Sequence, residues 1–205
     1  MRFSKFTLVA VTLNWAAGLS LAQPRPAITL RVVNEGGLPT RYLSMAEKET
    51  VRIFRQAGID LVWLECASGR AEWGSGNLCQ RELGPSEFWV RIVKRAPAAT
   101  SAEMLGFAEL DEGLGRASAG VYYPAAVALA EKWPARVGEI LGAAIAHETG
   151  HLILGVHAHS MRGVMVAHWG RAQFELISIS ELNFTGVEAR ELREQIDRRK
   201  RSENR

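Results

Sequence analysis

Residues 134–155 run Pro134-Ala-Arg-Val-Gly-Glu-Ile-Leu-Gly-Ala-Ala-Ile-Ala-His147-Glu148-Thr149-Gly150-His151-Leu-Ile-Leu-Gly155. Ile140, Leu141, Ala144, Ile145, Leu152 and Ile153 give this segment a broad apolar surface, which predicts a core helix. Pro134 suits its first turn and Gly155 its C-terminal stop. Residues four apart share a helix face, so His147 and His151 can turn two imidazole nitrogens towards one ion. Glu148 stands beside them. A carboxylate there can take a proton from a metal-bound water, whose pKa the ion lowers to about 7, and hand it to a leaving amine. All five histidines of the 205-residue chain fall between His147 and His168, a crowding that random placement would not be expected to give. The pattern predicts a zinc hydrolase.

A catalytic zinc normally has three protein ligands and an open position. The candidates beyond His151 are His157, His159, His168 and a downstream glutamate, Glu175 or Glu181. In the pattern H-E-x-x-H-x-x-G-x-x-H, the glycine and the third histidine stand three and six residues after the second histidine. Here Gly155 stands four after His151, His157 six after and His159 eight after. The run His147-Glu148-Thr149-Gly150-His151-Leu-Ile-Leu-Gly155, followed by His159-Ser160 and Gly163-Val164-Met165, resembles small secreted bacterial metzincin-like proteins, zincin-type zinc metalloproteases. That resemblance implies His159 as the third ligand and Met165 as a Met-turn methionine packed beneath the ligands. His157 keeps the ordinary metzincin distance and stays open as the alternative. Neither Glu175 nor Glu181 sits in a recognisable ligand motif, and His168 reads as a surface or near-site residue. The similarity extends from Ala57-Gly58-Ile59 through the cysteine loop to Leu182-Asn183-Phe184-Thr185, but only the motif carries chemical specificity.

The N-terminus has a basic start at Arg2 and Lys5, an apolar run from Phe6 to Leu21, and the small residues Ser20 and Ala22. This predicts a secretory signal peptide over residues 1–22, cleaved after Ala22. The apolar run is shorter than the ~20 residues a spanning helix needs, so no stable membrane insertion is expected once it is removed. Residues 23–205 then form a single zincin-like catalytic domain. Removing Arg2 and Lys5 takes Lys+Arg from 25 to 23 against 22 acids, a net charge of +1 that offers no bulk attraction to nucleic acid. Export makes the only two cysteines, Cys66 and Cys79, an expected disulfide.

Ala27–Val33 alternates and is β-branched, which predicts a strand. Ser44-Met-Ala-Glu47 reads as a capping box opening a helix that stops at Gly58, and Ile59–Leu64 as a second strand, giving a βαβ unit with parallel pairing. Glu87–Val93 reads as a third strand. Residues 96–120 read as a loop with little regular structure. Residues 118–124 read as a short edge strand, with Ala119 to Tyr123 aligning substrate by β-addition. Thr185 and Glu188 form a second capping box, opening a final helix whose basic end, Arg198 to Arg201, reads as a solvated tail.

The expectation is an α/β (α+β) zincin-like domain: a small mixed twisted sheet, a helix behind it and an active-site helix. Its function is expected to be zinc-dependent hydrolysis of peptide or protein substrates, with Zn2+ as cofactor and Glu148 as base. Oxyanion donors could come from Tyr122, Tyr123 or Arg162, which sequence does not rank. The alternatives are a zinc-stabilised secreted scaffold without turnover and a hydrolase of non-peptide amides.

Overall fold

The structure is a computed structural model that describes residues 24–67, 78–94, 104–111, 116–155 and 158–203. The proposed signal peptide, most of the cysteine loop and His157 lie outside the described residues. Five strands form one mixed sheet in the order β2-β1-β3-β5-β4, from β1 (Ala27–Asn34), β2 (Asp60–Cys66), β3 (Glu87–Val93), β4 (Gly106–Asp111) and β5 (Arg116–Tyr122). β2, β1, β3 and β5 run parallel. β4 returns antiparallel on β5.

Period-two alternation sorts the strands into faces. Ile28, Leu30 and Val32 of β1, Phe88, Val90 and Ile92 of β3, and Ala119 and Val121 of β5 are buried in one continuous core with the helices. α1 (Thr40–Gln56) and α3 (Val137–Leu154) pack on this face and on each other. Gly142 makes that approach possible, because a Cβ there would lie 2.6 Å from the Ala46 carbonyl oxygen. On the opposite face Arg31 is fully buried, donating to the carbonyls of Arg81 and Glu82 and to the Glu87 carboxylate. Cys66 and Cys79 form the expected disulfide.

Several sequence expectations need correction. α1 begins at Thr40, four residues before Ser44. The Asn34 side chain holds both the N–H and the carbonyl of Leu38 at 2.8 Å, which closes the turn early and lets Pro39 open the helix. α3 begins at Val137, beyond Pro134, with the Glu139 carboxylate accepting the Arg136 backbone N–H at 3.1 Å.

The expected edge strand is interior. β5 pairs with β3 on one side and β4 on the other, so β4, drawn from a region expected to be loop, is the sheet edge. Gly106, Ala108, Ala117 and Gly120 hid this pairing, since small residues have low strand propensity. Gly120 is needed because Phe107 lies across it, where a Cβ would fall 2.2 Å from the ring. Tyr123 belongs to α2 (Tyr123–Lys132), and Pro124 ends the strand by occupying the first turn of that helix.

α4 (Arg171–Ser178) and α5 (Gly186–Glu203) complete the chain. The second capping box forms as expected: the Thr185 N–H donates to Glu188 at 2.7 Å and the Glu188 N–H to Thr185 Oγ1 at 3.3 Å. The basic end of α5 is more than a solvated tail. Arg199 reaches the Leu152 carbonyl at 2.6 Å and lies over the Phe88 ring, capping a carbonyl in the last turn of α3.

Candidate metal centre

α3 presents His147, Glu148 and His151 on adjacent turns, with Glu148 and His151 buried. Gly155 ends the helix at φ 108°, a conformation that favours glycine, and its carbonyl accepts the Nδ1 hydrogen of His151 at 3.2 Å. The chain then folds back. Ser160 N–H donates to the Met165 carbonyl at 3.0 Å and Val164 N–H to the Asn183 carbonyl at 2.9 Å, which fixes a closed turn over residues 160–165.

This turn delivers His159. His151 Nε2 lies 3.0 Å from His147 Nε2 and 3.1 Å from His159 Nε2, and the ligand atoms of all three lie within 4.8 Å of one another. Three nitrogens around a tetrahedral ion at 2.0–2.1 Å would stand about 3.3 Å apart. The same turn places the Val164 carbonyl 2.7 Å from His147 Nδ1. A carbonyl can only accept, so His147 and His151 both carry a proton on Nδ1. Burial pushes the His147 pKa down to about 4, the Val164 hydrogen bond opposing it, so the ring is neutral at pH 7. A neutral ring protonated at Nδ1, as in His147, turns its Nε2 lone pair towards the shared centre, where a cation can accept it. The donor set fits a metal ion.

Met165 is fully buried beneath the helix and packs on Gly150. Glu148 faces the other way, towards β4. A Cβ at Gly106 would meet its Cγ at 2.8 Å and its Oε1 at 2.9 Å, so bare backbone leaves room for the carboxylate. Burial pushes the Glu148 pKa up to about 8.

The histidines open on a cleft of about 790 Å3. Met104 to Ala108 form one wall, Leu129, Lys132, Trp133 and Phe174 another, and Val166 to Gly170 a third. Trp169 donates its indole N–H to the Val164 carbonyl at 3.2 Å and meets His147 edge-on, with ring centroids 5.9 Å apart. Sequence reasoning missed this aromatic wall, because Trp133, Trp169 and Phe174 come from three elements with no shared spacing.

Of the other candidates, His168 is exposed and lines the cleft. Glu175 pairs with Arg171 at 2.6 Å on α4, and Glu181 is exposed; neither lines the cleft. The three suggested oxyanion donors are also elsewhere: Tyr122 is buried against Phe107, Tyr123 starts α2 and Arg162 is exposed on the turn. No protein-family model matches this chain, and no curated protein matches its sequence.

Proposed function

We propose that this chain is an exported zinc metalloendopeptidase-like hydrolase of the zincin kind, with His147, His151 and His159 as ligands and Glu148 as general base. The observation that carries the reading is the convergence of three Nε2 atoms in a cleft that a buried carboxylate, Glu148, also lines. Zinc held there would polarise the scissile carbonyl and acidify a water molecule, and its charge would favour the ionised form of Glu148.

The remaining work falls to the chain. Glu148 takes the water proton and passes it to the leaving amine. The outer edge of β4 aligns an extended peptide by main-chain hydrogen bonds, replacing 119–123 in that role, since Met104 to Ala108 line the cleft and β5 is already paired on both sides. The carbonyls of Val164 and Gly155 orient His147 and His151 through their Nδ1 hydrogens. A zinc-stabilised scaffold would gain nothing from a buried carboxylate facing the cleft.

The test is elemental analysis of the purified protein together with cleavage of casein and quenched peptide libraries, with and without a chelator. Glu148→Gln should keep stoichiometric zinc and lose at least about 100-fold in turnover, because the amide holds the volume and accepts no proton. Full turnover in that variant, or cleavage indifferent to the chelator, overturns the reading.

A further inference from the structure

The cleft beside the histidines carries little charge. Among the described residues that line it, Lys132 and Glu148 are the only Lys, Arg, Asp or Glu side chains. Glu148 is buried at the histidine end, against Gly106. Lys132 is exposed in the last turn of α2. Its Nζ lies 5.3 Å from the centre of the Trp133 ring. Trp133 in turn stacks on Phe174, with centroids 5.6 Å apart and planes 5° from parallel, and Phe174 is buried in the core.

The ammonium therefore rests on an aromatic pair anchored in the protein, where an ordinary surface lysine would sweep through solvent. A π face attracts an ammonium without neutralising it, and N–H donors turned away from the ring can still meet an anion. Apolar walls also strengthen the field of a charge in a cleft compared with the same charge in open water.

Resting on the peptidase reading above, we propose that Lys132 selects substrates that place a carboxylate against the Trp133 wall of the cleft. That carboxylate is an Asp or Glu side chain or the free C-terminus of the peptide. A Lys or Arg side chain at the same place is repelled.

Calorimetry on the zinc-loaded Glu148→Gln full-length protein tests this, using matched peptides with one apolar core. The peptides end in a free carboxylate or an amide, and carry Glu, Gln or Lys at each position in turn. One acidic arm should bind about five- to tenfold tighter than its neutral twin, and which arm it is identifies the source of the carboxylate. Lys132→Met should bring that ratio to about one, Lys132→Arg should keep it, and Lys132→Glu should reverse it in favour of Lys peptides. Equal binding of acidic and neutral twins, or a preference that survives Lys132→Met, overturns selection by Lys132 and leaves the peptidase reading standing. Absence of binding by every peptide overturns the inference, and takes the peptidase reading with it where the wild-type protein also cuts none of them.

Discussion

Met165 packs so closely on Gly150 that a Cβ at Gly150 would lie 2.6 Å from the Met165 sulfur. Gly150 sits between His147 and His151, so a side chain there would push this part of α3 away from the turn that carries Met165. Gly150→Ala should therefore cost about 1–3 kcal/mol through overpacking, despite the better helix propensity of alanine. Urea denaturation measures the loss, and zinc affinity should fall with it. Met165→Leu in the same background should restore part of both, since it replaces the sulfur with a shorter branched end.

The third ligand is tested by unequal alanine substitutions. His159 Nε2 meets His151 Nε2 at 3.1 Å, so His159→Ala should leave two protein ligands and weaken zinc binding severely. His157→Ala should change it little. Competition with a chromogenic chelator reads both affinities, and the reverse order would transfer the role to His157.

The Glu148 carboxyl links folding to pH in the chelator-treated protein. Burial raises its folded pKa from 4.5 to about 8, so the folded state holds a proton that the unfolded state has released. That contribution is complete below 4.5 and is lost as pH rises towards 8. His147 runs the opposite way: its pKa falls from 6.5 to about 4, so its contribution grows across that window and is level above it. Between pH 6.5 and 8 Glu148 acts alone of the two, and stability should fall by about 2 kcal/mol. Chelated Glu148→Gln should lack this slope in urea titrations, and a flat wild-type profile would show that the carboxyl titrates normally.

The disulfide joins residues 13 apart in sequence. Reduction should cost about 3 kcal/mol by freeing the unfolded chain. It should leave zinc content unchanged, because the crosslink lies at the β2 end of the sheet and the histidines pack beside β4 at the other. Intact mass with and without reduction, followed by thermal melts and elemental analysis, checks each part.

Most of the framework was legible in the chain. Strands β1 and β3 announced themselves by alternation, the β1-α1-β2 unit by its order, and the final helix by Thr185 and Glu188, because each of these signals is local. Helix boundaries were less legible. The Asn34 clamp on Leu38 and the Glu139 cap on Arg136 outweighed the capping box at Ser44 and the proline at 134. β4 was invisible, since Glu148 crowding Gly106 and Phe107 crossing Gly120 of β5 demand glycine where strand formers would signal the pairing.

By itself the sequence determined the pair of imidazoles and the carboxylate, because i,i+4 spacing on a helix places side chains whatever surrounds it. It also determined where the helix stops, because Gly155 tolerates φ 108° without strain. Only the tertiary structure decided that His159 reaches the same centre, through a turn closed by Ser160, Met165 and Asn183. It alone decided that β4 forms the open edge and that Lys132, Trp133 and Phe174 build the far wall. Those placements depend on contacts between segments distant along the chain, and no period within a segment encodes them.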